Sequence, residues 1–300
     1  MNIGFIGTGS MGNPIACNLL DAGHRLFVND INEKSAGNLL SKGATWCECP
    51  AEIAKESQVI FLSLPSHIEV AAVCFDQNGI FSSIQKNAFL IDLTTISISL
   101  IPKLQASEKE HQFHYLSSPV SQGVDNAKIG LLSIFVGGKE KDYIQCLPLY
   151  RIIAKEIIYT GSHLSAISAK LLTNLLWFIN AASIGEALVI GAKSDIDLPT
   201  LQKVIINSCG NSWVAEHDIP SIYNGDYDKS FTTKLCCKDL RLINELAASI
   251  NIPIEIGALV EQIFIRARNI YGDNSPELSV VKQIEEITNT TLTLNRNPES

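Results

Sequence analysis

Three glycines crowd into Gly7-Thr8-Gly9-Ser10-Met11-Gly12, and an acid, Asp30, follows at about the twenty-residue spacing of a dinucleotide fingerprint. Glycines spaced this way suit a pyrophosphate. The first permits a tight turn, the second lets the backbone approach the phosphates, and the third lets a helix pack closely on a strand. The amides that open the helix add partial positive charge. A carboxylate at Asp30 can accept hydrogen bonds from both ribose hydroxyls. It also repels a 2′-phosphate, and its neighbours Ile31 and Asn32 offer no guanidinium, leaving Lys34 as a weaker substitute. NAD is therefore favoured over NADP. Far along the chain, Lys170 and Asn174 stand at i and i+4, on one face of a helix. A lysine there can move a proton beside a carbonyl. Spacing alone leaves Lys170 open between that role and a solvated helix end.

The elements around the glycines decide that this is no bland flexible turn. Ile3-Gly4-Phe5-Ile6 is short, apolar and bounded by glycine, which predicts a buried strand. Met11, Ile15, Leu19 and Leu20 recur at helical spacing, Pro14 falls in the first turn, and Ala22-Gly23 closes the helix. Leu26-Phe27-Val28 predicts a second strand that ends at Asp30. Further strands are expected at 57–64, 88–92, 113–116, 131–136 and 156–159, and a helix at 140–154. Thr94-Thr95 sits in cap position for a helix beginning near Ile96. Strands alternating with helices imply a mostly parallel sheet covered on both faces. Beyond Gly161 the texture changes: 164–193 reads as one helix, and the remainder is helical, punctuated by Pro199, Gly210, Pro220, Gly225 and Pro253. The polar tail from Asn289 is expected to fray.

Composition narrows the function. A net charge of −8 and a pI near 5.3 oppose nucleic acid as the main partner. No basic segment precedes the first strand, so a signal peptide is not expected and the location is read as cytoplasmic. The apolar run 171–192 is long enough to span a bilayer, but Asn174, Asn180, Ser183 and Glu186 interrupt it, which favours the buried helix of a soluble protein. Cys47-x-Cys49 and Cys236-Cys237 lack a partner pair at zinc-ligand spacing, so reduced thiols are expected. His111-x-x-His114 has nothing nearby in sequence to complete a metal site, and no metal is expected.

Several further motifs, in order, carry a resemblance. GFIGTGSMGNPIACNLLDAGH at the start is followed by Leu64-Pro65, LIDLTTI (90–96), SPVSQG (118–123), Val136-Gly137-Gly138, Lys170 with Asn174, GNSW (210–213) and FTTKLCCKDL (231–240). Over essentially its whole length the chain resembles the β-hydroxyacid dehydrogenases, on the 3-hydroxyisobutyrate dehydrogenase branch. The resemblance implies an α/β Rossmann-type NAD-binding domain over 1–162, then an all-α domain over 163–300 that begins with a long helix. It implies that Lys170 is the general acid/base and that Asn174 orients substrate and lysine. Ser121, Gln122 and Gly123 would hold the substrate carboxylate. Gly7, Thr8, Gly9, Ser10, Met11, Gly12, Asp30, Leu64, Pro65 and Thr95 would hold the cofactor, joined by Lys238 with Asp239 beside it. Spacing alone would make Lys238-Asp239 a solvated charge pair.

The chain departs from the family pattern in four places. Gln122 replaces a usual glycine, Ser117 a usual acid, and Thr173 a usual asparagine. Leu164-Ser165-Ala166-Ile167 stands where a Gly-x-Gly-Gln run usually precedes the lysine. The implied activity is NAD-dependent interconversion of a small 3-hydroxy acid and its semialdehyde, in a homodimer or homotetramer. Two alternatives stay open: the same chemistry on a hydroxy-sulfonate, sugar acid or dicarboxylate, or a weakly active nucleotide-binding module.

Overall fold

Apolar runs of four or five residues become the central strands, because helices cover both of their faces and no alternation with polar residues is needed. The computed structural model describes residues 1–294. Its compact units are Met1–Lys170 and the chain from Leu171 on.

The first unit is an α/β sandwich. Its strands are β1 (Asn2–Ile6), β2 (Arg25–Asn29), β3 (Thr45–Trp46), β4 (Val59–Leu62), β5 (Phe89–Asp92), β6 (His114–Ser117), β7 (Val120–Ser121), β8 (Leu132–Gly137) and β9 (Ala154–Gly161). Its helices are α1 (Gly12–Asp21), α2 (Gly37–Ser41), α3 (Pro50–Glu56), α4 (His67–Phe75), α5 (Ile101–His111), α6 (Gly123–Lys128) and α7 (Glu140–Ile153). The strand order is β3-β2-β1-β4-β5-β6-β8-β7, with β9 paired to β8. The strands from β3 to β6 are mutually parallel, and β8 runs antiparallel to β6 and β7. The sheet is thus mostly parallel, as the sequence predicts. Phe5 of β1 and Phe61 of β4 are register partners with stacked rings 5.9 Å apart, at the heart of the core.

The chain reverses direction across the sheet beside β1, which has β2 on one side and β4 on the other. Parallel sheets bind ligands at such a switch point, beyond the carboxyl ends of the strands. The glycine turn lies there, between β1 and α1.

Two sequence expectations need correction. Thr94-Thr95 does not cap a helix at Ile96. Ser97 caps instead, its Oγ accepting from the Ser99 amide at 3.2 Å, and α5 begins at Ile101 after a single tighter turn. Thr94 is used otherwise: its Oγ1 accepts from the Leu64 amide at 3.1 Å and ties the end of β4 to the end of β5. Nor does the tail fray at Asn289. Leu292 is buried, with its amide on Glu285 Oε1 at 2.7 Å, and the Leu294 amide reaches the Tyr223 carbonyl at 2.9 Å. Residues 295–300 of that tail lie outside the described residues.

The long helix α8 (His163–Lys193) begins in the first unit and runs into the second. By length and composition it could cross a membrane, yet Phe178 is buried and meets Phe264 edge-on at 5.2 Å. The remaining helices are α9 (Leu198–Ile206), α10 (Ile219–Asn224), α11 (Thr233–Ser249), α12 (Glu255–Tyr271) and α13 (Ser279–Thr288). A wider π-turn, Val214–Asp218, leads into α10.

The glycine turn generates a stability contrast. A Cβ on Gly12 would lie 1.9 Å from the Gly7 carbonyl oxygen, whereas one on Gly9 would meet nothing within 4 Å. Gly12→Ala should therefore lower stability by about 1–3 kcal/mol or more, and Gly9→Ala by less than about 0.5 kcal/mol. Urea unfolding of the two variants checks this; equal losses would contradict the packing described.

Candidate functional site

The turn from β1 to α1 bares backbone at one spot and closes it at two. Gly7 takes φ +94°, and a Cβ there would strike the Ser63 carbonyl at 2.2 Å. Gly12 is buried against Gly7, so α1 starts hard against the strand. Gly9 and Ser10 are exposed between them, Gly9 facing open space, while Met11 turns inward onto the core. A pyrophosphate needs such a bare stretch in front of helix amides. The residues present fit a dinucleotide.

Asp30 is bound to this turn. The Thr8 amide donates to Asp30 Oδ2 at 2.7 Å, and the Asn32 amide donates to Oδ1 at 2.9 Å. Two backbone donors fix the plane of the carboxylate; Oδ2 also accepts a longer bond from Thr8 Oγ1 at 3.4 Å, while Oδ1 keeps a further lone pair for a ribose hydroxyl. Thr8 itself is buried, its Oγ1 2.6 Å from Ser35 Oγ. Asn13 Nδ2 donates to the Ser35 carbonyl at 2.7 Å, so α1 and the segment after β2 are stitched together. Leu64 backs the turn, its Cδ2 3.0 Å from where a Gly7 Cβ would stand. Pro65 follows, exposed, and Thr95 lies half-buried beyond β5.

Ser121, Gln122 and Gly123 form a separate turn between β7 and α6. Ser121 pairs with Ser133 of β8, and both Gln122 (φ +88°) and Gly123 (φ +72°) adopt left-handed backbone. That conformation is free for glycine and costs another residue about 1–3 kcal/mol. The Gln122 carbonyl accepts from Asn126 Nδ2 at 2.9 Å, which anchors the turn to α6.

The start of α8 shows how the altered run before Lys170 is accommodated. Ser162 caps the helix, its Oγ accepting from the Ser165 amide at 3.1 Å. Ala166 is buried against Gly137, where a Cβ would come within 2.8 Å of the Ala166 Cβ. Leu164 is exposed. The helix therefore begins without the two usual glycines, and Lys170 follows half-buried two turns later. Ser117, where an acid is usual, lies with its Oγ 3.2 Å from His163 Nδ1. Burial pushes the His163 pKa down, and its ring stacks on Tyr115 at 4.6 Å.

In the second unit the Asn174 amide donates to Asp239 Oδ2 at 2.7 Å, and Lys238 Nζ lies 2.9 Å from Asp239 Oδ1. Asp239 is only 2% exposed. Lys238-Asp239 is therefore not the solvated pair that its spacing suggests, but a charge pair holding an amide. Sequence reasoning missed Asp239 as the partner of Asn174. Its one signal was an acid at a core position of α11. Three residues after Asn174, Trp177 Nε1 donates to Asp218 Oδ2 at 2.9 Å. Burial pushes the Asp218 carboxyl up to about 6, against the lowering effect of that hydrogen bond.

A glycine turn at the switch point, an acid oriented after β2 and a helical second unit define a dinucleotide-dependent dehydrogenase of the Rossmann class. The NAD-binding domain of 6-phosphogluconate dehydrogenase matches residues 2–161, and the NAD-binding domain of NADP-dependent 3-hydroxyisobutyrate dehydrogenase matches 165–284. The chain belongs to the β-hydroxyacid dehydrogenase family and is an NAD(P)-dependent oxidoreductase of the 3-hydroxyacid type. It is 32% identical over 289 residues to 2-(hydroxymethyl)glutarate dehydrogenase of Eubacterium barkeri, covering 96% of each chain. It is 32% identical to the mitochondrial 3-hydroxyisobutyrate dehydrogenase of Mus musculus, over 87% of this chain and 80% of the mouse protein. The solved structure of a Mycobacterium tuberculosis 3-hydroxyisobutyrate dehydrogenase with L-serine superposes with a TM-score of 0.86 at 26% identity, covering 94% of this chain and 98% of that one.

The Asp30 geometry sets an expectation for cofactor choice. The native protein should use NAD in preference to NADP, and Asp30→Ala should narrow the kcat/KM ratio by about tenfold, a change of about 1.4 kcal/mol. Steady-state kinetics with both cofactors decides it, and equal use by the unmodified protein would overturn it.

Proposed function

We propose that the protein interconverts a 3-hydroxyisobutyrate-like 3-hydroxy acid and its semialdehyde, with NAD as partner. The observation that carries this reading is the pairing on α8: Lys170 stands one turn before Asn174, whose amide is held by a buried carboxylate. An amide fixed in this way presents its oxygen in one direction, where it can align a substrate hydroxyl or the lysine ammonium. Bound, the nicotinamide supplies the hydride acceptor. Lys170 takes the hydroxyl proton as the carbon–hydrogen bond breaks, and returns it in the reverse reduction. Ser121 Oγ and the Gly123 amide grip the carboxylate, with the Gln122 side chain beside them. The family resemblance assigns Lys238, ion-paired with Asp239, to cofactor binding. The reading is supported by the family and by the 3-hydroxyisobutyrate dehydrogenases among its relatives.

The test is a screen of small hydroxy acids with NAD, followed by NADH absorbance, on the native protein and on Lys170→Ala. Turnover should fall by about a hundredfold or more in the variant, the usual contribution of a general acid/base, while NADH affinity stays unchanged. Turnover that survives would return Lys170 to a solvated helix position. Absence of turnover on every acid would favour a binding module.

The strained backbone at Gln122 favours a second reading, in which the acid is larger. A glutamine in a left-handed conformation, where glycine would be relaxed, places an amide side chain at this turn. Its amide can hydrogen-bond a second polar group, such as the distal carboxylate of a dicarboxylate. The similarity to 2-(hydroxymethyl)glutarate dehydrogenase points the same way. Sites built to bond a substrate group discriminate strongly against analogues that lack it. Gln122→Gly should therefore raise kcat/KM for 3-hydroxyisobutyrate relative to the best acid from the screen. Both substrates measured on both proteins settle the matter, and an unchanged ratio would remove Gln122 from the acid-binding site.

A further inference from the structure

Three elements of the first unit bring Glu108 (α5), His114 (β6) and Asp142 (α7) together. One ligand atom from each lies within 4.8 Å of the others. His114 Nδ1 is 3.1 Å from Asp142 Oδ2, and Lys139 Nζ is 2.7 Å from Glu108 Oε1. Asp142 is fully buried, and its second oxygen, Oδ1, is buried with no hydrogen-bond partner. The Glu108 side chain is 7% exposed. Leaving a carboxylate oxygen buried and unsatisfied is costly. Formally, the two acids bring two negative charges against the single ammonium of Lys139, whose side chain is 56% exposed. With His114 neutral, the cluster is short of one positive charge, on the side of Asp142.

We propose that Glu108, His114 and Asp142 form a binding site for a first-row divalent cation of the zinc type. One imidazole nitrogen and two carboxylates suit such an ion better than calcium or magnesium, which favour all-oxygen shells. A tetrahedral ion at about 2.0–2.1 Å from each ligand holds them roughly 3.4 Å apart. The His114 Nδ1–Asp142 Oδ2 separation of 3.1 Å already approaches this, and the Glu108 ligand atom closes in from within 4.8 Å. The ion supplies the missing charge and, bound by both oxygens of Asp142, also satisfies the orphaned Oδ1. Lys139 is its competitor: the ammonium sits on one prospective ligand, and its exposed stem lets it swing away and admit the ion. His114 opens β6, whereas the glycine turn follows the last residue of the parallel strand β1. The site therefore lies toward the opposite end of the sheet and ties α5, β6 and α7 together rather than serving hydride transfer. This revises the sequence reading, which found nothing near His114 to complete a site. The partners are distant in sequence, and His111 itself stacks on Phe81.

Cobalt(II) titration of the metal-stripped full-length protein tests the proposal, read by calorimetry and by the visible spectrum. The native protein should bind one ion per chain, without a thiolate-to-cobalt charge-transfer band. Asp142→Asn and Glu108→Gln should each weaken binding at least tenfold, and Lys139→Met should tighten it several-fold by removing the competitor. The lysine variant, altered at a largely exposed side chain, guards against variants that merely unfold. No binding by the native protein, a thiolate band, or unchanged or weaker affinity in Lys139→Met would each overturn the site.

Discussion

Gly12 meets the carbonyl of Gly7 so closely that no side chain fits between them, and most of the nucleotide-facing geometry hangs on that contact. With α1 pressed against the end of β1, its first turn lies in front of the strand rather than beside it. Thr8, between the two glycines, is forced inward, and its amide turns to Asp30. The hydroxyl of the same residue reaches Ser35, which in turn engages Asn13. Leu64 packs behind Gly7 because Thr94 holds its amide. Loosening the glycine contact would loosen the Thr8 bonds to Asp30 and Ser35 with it, whereas Leu64 keeps its own tie to Thr94.

The second unit uses the opposite means. Asn174 and Lys238 are placed by a charge, not by close backbone approach. Asp239 is buried, accepts from Asn174 and is ion-paired with Lys238, and removing one partner from such a pair leaves a buried charge poorly compensated. A carboxylate of this kind contributes little net stability, but it allows few alternative arrangements around it.

Much of the fold was legible because period and punctuation are local. The apolar bursts of β1, β4 and β5, the amphipathic α1 and the unbroken α8 declare themselves within ten to thirty residues, on the scale of a strand or helix. Short elements did not: β3 is two residues long and β7 another two, fixed by pairing with β2 and β8 rather than by their own propensity. The start of the helix after β5 is ambiguous in the sequence because Thr94 and Ser97 carry the same capping chemistry. Only the tertiary demand of the Leu64 amide separates them. Of the candidate site, the glycine turn and Asp30 were readable as a spaced motif. The bond from Asn174 to Asp239 spans 65 positions and has no sequence period to announce it. The same holds for Asp142, which reaches His114 from 28 positions away.

Trp177 carries one more implication. Its indole N–H rests on Asp218, a carboxyl whose pKa burial raises to about 6. An indole's excited state is strongly dipolar, so a negative charge on its pyrrole nitrogen side alters the energy of the emitted light. On passing from pH 7 to pH 5 that charge is neutralised while the hydrogen-bonding atom stays in place. The emission of this one tryptophan thus reads out a proton on the π-turn before α10. It gives the helical unit an optical label distinct from Trp213, which stacks on His217 at 3.7 Å.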